Sequence, residues 1–554
     1  MARKSYFVPG IIIGKLLLFF LILYFNLGMY GFDSYIHLQY IDSILENGHI
    51  VALSFGESYI DFIGFHVFAS GISSLTGIEA GLIYEFVSII IPILIFDLTI
   101  VAFIRHIDKK RKGYVSNDLN LKYLALILLF PAILGIQMLL GRPNSLGISL
   151  FSLCLYLYLC KPDKFRAQIT AGFIAVVTLK IHHLSAIFLL PVIFFSSIFL
   201  AKNYKSILSL VYAIPAVLIV QTIKTSREFG IVNQYLQNAS PAYETIYNIF
   251  IGREYVFLIM WLAITLLGFF IRKRYGKVIS DFFTTQRIVK LSSIALMAII
   301  VVLEIAGLFV YSTTLNSWFI TLELVIILIL SGIALIFNNT VRMALFSLGF
   351  FFYGLTVVLS LMFSSEHELS WVAPRTFIFT VLFISILAYI AISDILPKLK
   401  AKWKPLFISA LIVNSYFSFA YMGNQYLPGY NLTNTYQDIT LAHSITSSIN
   451  LTIITSNTIS VPFSISKHIN GFNIYNRYTQ VFLDANSTIQ ANGYLLARSN
   501  YRYIVLGTVM DLWLGLPLRF STQDLTYLLN VLYYSWPTQH VVISNNYNYL
   551  IYHL

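Results

Sequence analysis

Long apolar runs, mostly about 18 to 25 residues each and parted by short polar turns, dominate the first three quarters of the chain. A helix needs about 20 residues to cross a hydrocarbon core roughly 30 Å thick, so each run predicts a membrane span. Spans are expected near 7–29, 80–104, 121–140, 144–160, 168–181, 183–201, 206–222, 255–271, 289–311, 317–337, 343–362, 376–393 and 405–421, about thirteen in all. The first run, Phe7 to Met29, is long and has no small-residue cleavage site ahead of Gly31-Phe32-Asp33, so it reads as a retained anchor. Past residue 421 the pattern changes. Asn, Ser, Thr and Tyr become frequent, strand-like runs fall at 451–455, 503–506, 541–544 and 549–552, and a helix is expected over 487–497. The expected fold is a polytopic α-helical membrane domain over 1–421, followed by a soluble α/β domain over 422–554.

Composition agrees with the pattern. The chain is 58% hydrophobic and 11% charged, more apolar surface than one soluble core buries. The net charge of +12 is mostly a topology signal, because basic loop residues are retained on the cytoplasmic side. With the N-terminus inside, Arg3-Lys4, 105–122, 161–166, 202–205, 272–290, Arg342 and 398–404 are cytoplasmic, and they hold most of the Lys and Arg. Residues 30–80 have neither Lys nor Arg and face outward, as do the loop 222–254 and the C-terminal domain. The expected location is the cell membrane. Charges scattered over separate inner loops do not make the basic, aromatic-laced face that nucleic acid requires. Both cysteines, Cys154 and Cys160, lie in the fourth span, which excludes a disulfide framework or thiolate metal site in the outer regions.

The first outer loop carries the densest candidate chemistry. Ile36, Tyr40, Ile41 and Leu45 have helical spacing and Gly48 closes the helix, which puts Asp33 at its start and His37 one turn later on the same face. Asp33 is a candidate general base or metal ligand with His37 assisting, or else a helix N-cap beside an interfacial His. No cation within 30–80 neutralises Asp33, Asp42, Glu46, Glu57, Asp61 and Glu79. A divalent metal, Mg or Mn, or a proton transfer makes sense of so many acids.

A first span followed by Asp33-x-x-x-His37, a short amphipathic helix and Gly48-x-Ile50 resembles the first outer loop of GT-C glycosyltransferases, particularly archaeal oligosaccharyltransferase catalytic subunits. The stretch from Tyr59 through Asp61 and His66 to Ile78 resembles that group's second amphipathic outer helix, and 545–552 its final strand. The resemblance implies a polyprenyl-phosphate-linked sugar donor, bound from the lipid side, and Asp33 as the catalytic acid with His37 close by. The oligosaccharyltransferase Trp-Trp-Asp signature is absent, and Gly141-Arg142-Pro143-Asn144 lacks the Asp-x-Asp of those enzymes. Single-sugar transfer from a dolichyl-phosphate donor to a glycan, lipid or protein therefore fits better than transfer of a whole oligosaccharide.

A donor phosphate needs cations. Arg375, at the outer start of the twelfth span, is the first candidate, with Arg142 and Lys180 at other outer ends and the turn Lys180-Ile181-His182-His183 beside them. Glu57, Asp61, Glu304 and Glu323 are candidate cavity acids, the last two inside spans. Intramembrane acids also suit a transporter or flippase of lipid-linked sugars, which would show interrupted helices. A non-catalytic surface scaffold is the third class.

Overall fold

The structure is a computed structural model, which describes residues 7–26, 28–29, 33–49, 63–110, 122–129, 131–139, 142–196, 200, 270–271, 273–276, 278, 315–336, 340–362, 372–426, 434–435, 452–455, 493–498, 540–545 and 549–553. The spans expected near 206–222 and 289–311, the loop 222–254 and the run 503–506 lie outside these residues.

The apolar runs become helices. Helix α1 (Phe7–Asn26) is the expected anchor, and α2 (Asp33–Asn47) and α3 (Gly64–Thr76) are the two helices of the first loop. The second run is a continuous rod of α4 (Ala80–Glu85), a widened π-turn (Phe86–Ile90) and α5 (Ile91–Lys110). Pro92 explains the widening, because proline has no N–H to give and its ring crowds the carbonyl four residues earlier. Then follow α8 (Pro143–Cys160), α9 (Phe165–Ile181), α10 (His183–Phe195), α11 (Leu315–Ile336), α12 (Thr340–Met362), α13 (Val372–Ile395) and α14 (Lys404–Tyr426). Ala80–Asp108, Pro143–Cys160, Thr340–Ser360 and Arg375–Lys398 are each long and apolar enough to cross a membrane, and α1, α9, α11 and α14 carry shorter apolar stretches. These helices make the chain a polytopic helical membrane protein.

The third run differs from expectation. Instead of one span over 121–140 there are two pieces, α6 (Ala125–Leu128) and α7 (Ala132–Leu139), with Leu129 extended between them. Pro131 ends the first piece because it cannot continue a helical ladder. Side chains from other helices satisfy the backbone groups the break exposes. Glu323 Oε2 on α11 accepts the Ala132 N–H at 3.0 Å, and the Tyr389 hydroxyl on α13 donates to the Leu129 carbonyl at 2.7 Å. Glu323, expected to line a cavity, thus caps α7 with one oxygen; the other, Oε1, is buried without a partner.

Helix α13 forms the centre of the bundle, with every residue of its apolar stretch buried. Rings lock α8, α10 and α12 around it: Phe151 and Phe188 each lie 4.8 Å from Phe379, and Phe352 stacks on Phe383 at 5.4 Å. Among the described residues, two ion pairs cross the apolar interior, Lys15–Asp97 and Arg342–Asp394, both at 2.6 Å. Arg342, grouped above with the cytoplasmic loop cations, is instead fully buried and also donates to the Ala334 carbonyl at 2.9 Å. Asp97 and Asp394 are intramembrane acids that the hydropathy pattern conceals, since one carboxylate barely lowers the average of an apolar run.

After α14 the chain returns to the end of the bundle where α1 finishes, because β2 (Asn434–Thr435) pairs antiparallel with β1 (Gly28–Met29). The remaining strands, β3 (Thr452–Thr455), β4 (Gly493–Arg498), β5 (His540–Asn545) and β6 (Tyr549–His553), form one sheet in the order β3-β4-β6-β5. Three of them fall on expected strand runs. The helix expected over 487–497 is corrected over its last residues, where β4 is held by parallel pairing to β3 and antiparallel pairing to β6. Tyr-Leu-Leu-Ala is too short to declare a period, so its neighbours in the sheet decide.

Candidate functional site

Helix α2 begins at Asp33, as its spacing predicts, and carries His37 one turn on. Helix α3 folds back against it. The Ile41, Phe65, Ala69, Tyr84, Leu146 and Ile181 side chains make a small second core that seats both loop helices on the ends of α4, α8 and α9. His37 and His66 meet within this contact, with Nδ1 of His37 3.0 Å from Nε2 of His66. His37 is 2% and His66 0% exposed. Phe65 stands edge-on to both imidazoles, and Tyr40 lies 5.1 Å from His66.

Two glycines permit this assembly. A Cβ on Gly64 would stand 2.9 Å from both the Cβ and the carbonyl oxygen of Lys180, so the start of α3 rests directly on the last turn of α9. A Cβ on Gly147 would stand 2.6 Å from the His182 Cβ, which lets the turn between α9 and α10 close on α8. Gly147→Ala is expected to cost about 1–3 kcal/mol, because backbone must move to admit the methyl. Thermal melting of the purified protein measures this; an unchanged melting temperature would mean that the helices separate freely there.

Through these contacts Arg142, at the head of α8, and His182, at the head of α10, come near enough to His37 to act on its charge. The orientation of His182 is fixed locally: its Nδ1 accepts the Ser185 backbone N–H at 3.3 Å, capping α10, and lies 2.8 Å from the Ser185 hydroxyl. An Nδ1 that accepts has no proton, so the proton of His182 sits on Nε2. Asn144 and Ser145, next to Arg142, bond Gln137 of α7 at 3.1 and 2.9 Å. The short half-helix that Glu323 caps therefore also braces the Arg142 turn.

Burial, followed by the nearby Arg142 guanidinium and His182, pushes His37 down to about 3. Burial and then His37 hold His66 well below the usual imidazole range. Both rings are neutral at neutral pH. Their folded values lie below the unfolded value of 6.5, so the unfolded chain binds more protons on acidification. Stability is complete above pH 6.5 and falls as pH drops from there toward about 3, by up to about 1.4 kcal/mol per pH unit for each imidazole. Melting temperatures should decline over that window in wild type and decline less in His66→Gln; equal slopes would contradict the burial of these rings.

Of the residues chosen from sequence, His37, Arg142 and Lys180 gather at this end of the bundle. Arg375 is half-buried in the first turn of α13, one turn or about 6 Å ahead of Phe379. Phe379 touches Phe151 of α8, whereas Tyr389 reaches Leu129, behind the half-helix that leads to Arg142. Arg375 thus lies toward the Arg142 end. Glu57, Asp61 and Glu304 lie outside the described residues, and so does the Asp33 side chain. His66 was absent from the candidates; its only signal was its place near the head of the second loop helix. For a divalent metal, no group of three His, Cys, Asp or Glu gathers among the described residues, and His37 and His66 each spend a ring nitrogen on the other.

No protein-family model matches the chain, and neither does any curated protein sequence. Among solved structures, the Archaeoglobus fulgidus oligosaccharyltransferase, in a complex with Zn and sulfate, aligns at 12% identity over 85% of this chain with a TM-score of 0.48. This chain spans 64% of the length of that protein. ArnT from Cupriavidus metallidurans, in its apo state, aligns at 12% identity over 97% of each chain with a TM-score of 0.29.

Proposed function

We propose that this chain is a membrane glycosyltransferase that moves a sugar from a polyprenyl-phosphate-linked donor to a hydroxyl of a glycan, lipid or protein, on the side of the membrane that the first loop faces. The observation that carries the reading is that Arg142 and His182 act on His37, on the loop helix that starts at Asp33, while Lys180 lies against the head of the second loop helix. The Arg142 cation stands at the head of α8, whose N-terminal N–H groups add positive potential, and an acid begins the first loop helix. A phosphodiester between them would be held by Arg142, with Lys180 and Arg375 in reach of the same end of the bundle. Asp33 takes the proton of the acceptor hydroxyl as its oxygen attacks the anomeric carbon. The bond from that carbon to the phosphate oxygen breaks, and polyprenyl phosphate leaves with the electron pair. Displacement from the opposite face inverts the anomeric centre.

The test is transfer of labelled sugar from dolichyl-phosphate donors to an acceptor mixture by the protein in lipid nanodiscs. Arg142→Gln should weaken donor binding roughly 10- to 100-fold, the worth of one charge-assisted hydrogen bond, and unaltered binding would remove Arg142 from the phosphate site. The interrupted third span and the buried Glu323 favour a second reading, movement of the lipid-linked sugar across the membrane. In proteoliposomes without acceptor, that activity would carry labelled donor between leaflets and release no polyprenyl phosphate.

A further inference from the structure

The end of the bundle opposite the first loop carries a second, separate concentration of charge. Ala80, Leu146 and Ile181 belong to the small core under the first loop, so the far ends of α5 and α8 and the start of α9 point away from it. After α14 the chain pairs with β1 beside the end of α1, so α14 also begins at the far end, at Lys404. The turn from α13 to α14 lies there. Pro397 closes α13 in one 3₁₀ turn (Leu396–Lys398), and the Lys400 carbonyl accepts the N–H groups of Trp403 and Lys404 at 2.9 and 3.3 Å, which fixes the shape of the turn.

This turn is basic, with no acid to offset it. Lys400 and Lys402 are exposed and Lys404 is half-buried. No Asp or Glu occurs between Ile395 and Tyr426, and Asp394 faces inward to pair with Arg342. The Lys402 ammonium lies over the Trp403 ring, 5.6 Å from its centre, and that ring is 50% exposed. Beyond Trp403 the open surface of α14 turns apolar. Leu406, Ala410 and Val413 follow at steps of three and four residues, so they share a face with Trp403 and all are exposed. Another side of α14 packs on α7 and α11. Trp403 to Val413 spans about 15 Å of helix, which is half of a hydrocarbon core roughly 30 Å thick.

We infer that this turn binds one anionic phospholipid, its phosphate on Lys400, Lys402 and Lys404, its glycerol at the level of Trp403, and an acyl chain along Leu406, Ala410 and Val413. The excess of Lys and Arg makes this the cytoplasmic leaflet, whose anionic lipids attract basic segments. A soluble anion would use the lysines and leave the apolar stripe idle. A zwitterionic lipid would use the stripe but bring a second cation up against the lysines. An anionic phospholipid satisfies both, and indole, with an apolar body and one polar edge, suits the headgroup boundary between them.

Fluorescence quenching by brominated lipids, with the full chain in nanodiscs, tests this. Phosphatidylglycerol or phosphatidylcholine with brominated acyl chains is mixed at rising fractions into unlabelled phosphatidylcholine. The chain has six tryptophans, so subtracting the Trp403→Phe signal isolates Trp403. Its quenching should be half complete at a fraction of brominated phosphatidylglycerol at least about fivefold lower than of brominated phosphatidylcholine, the effect of one lysine beside an anionic surface. Lys400→Gln, Lys402→Gln and Lys404→Gln should each weaken this preference, and the triple variant should respond to the two lipids alike. Lys164→Gln with Arg166→Gln removes exposed charge from the turn between α8 and α9 at the same end and should leave the preference intact. Equal quenching by both lipids in wild type overturns the inference. So does a preference lost as fully in the Lys164→Gln, Arg166→Gln variant as in the triple variant, because diffuse charge would then suffice. Millimolar glycerol phosphate, the headgroup without chains, should not restore the fluorescence; restoration would give the lysines to a soluble anion and overturn the lipid as occupant. If Trp403→Phe does not fold, native mass spectrometry decides, with phosphatidylglycerol retained by wild type and lost from the triple variant, and equal retention overturning the site.

Discussion

Asp33→Asn is expected to lower sugar transfer by about 10²–10⁴-fold, the usual worth of a positioned general base, while leaving donor binding nearly intact. The amide keeps the size and hydrogen-bonding reach of the carboxylate but cannot accept a proton, so only the chemical step suffers. The helix should be unaffected, because Asn caps or begins a helix about as well as Asp. In the proposed mechanism donor affinity is set by Arg142 and its neighbours, and removing one acid from the first loop should only strengthen the hold on an anion. The expected signature is a collapse of kcat with an unchanged or slightly lower donor KM, read in nanodiscs with labelled donor. Retention of full transfer by Asp33→Asn would strip Asp33 of its role, and loss of donor binding instead of kcat would recast it as a structural residue.

Arg342→Met is expected to be the most damaging substitution in the bundle interior. Arg342 is 0% exposed, pairs with Asp394 and donates to the Ala334 carbonyl. Removing it leaves a buried carboxylate without its counter-charge, which costs about 3–5 kcal/mol, and leaves the carbonyl at the end of α11 without this donor. The double substitution Arg342→Met with Asp394→Leu should recover most of the loss, because an apolar pair of similar volume has no charge to bury. Melting temperatures of the two single variants and the double variant make a thermodynamic cycle. A double variant no more stable than Arg342→Met alone would mean that the guanidinium serves through packing and not through its charge.

Much of the helical scaffold was legible in the residues. The first loop helix starts at Asp33, and β3, β5 and β6 fall on their expected runs. These features depend on local periodicity and on the length a bilayer demands, both of which a window of sequence contains. The failures share a different cause. Pro131 signals a break, but whether it bends or severs a span depends on partners that can satisfy the freed backbone, and Glu323 and Tyr389 come from 191 and 260 residues away. Arg342 looked like a loop cation because Asp394, its partner, lies in another helix. Over 493–497 a helix was expected because the six-residue run Gly493–Arg498 acquires its strand character only from β3 and β6.

The candidate site divides along the same line. By itself the sequence determined a helical membrane chain, an acidic loop without Lys or Arg, Asp33 and His37 one turn apart, and cations placed at span ends, since each follows from hydropathy, charge bookkeeping or helical spacing. Tertiary structure alone decided that His66 meets His37, that Gly64 lies on Lys180 and that Gly147 admits His182, so that Arg142 comes to bear on a buried neutral imidazole. Those contacts join residues 29 or more positions apart, and their chemistry depends on what burial excludes. Water would let an imidazole titrate near its ordinary value, but in the dry contact between α2 and α3 the ring must stay uncharged and hold a single proton.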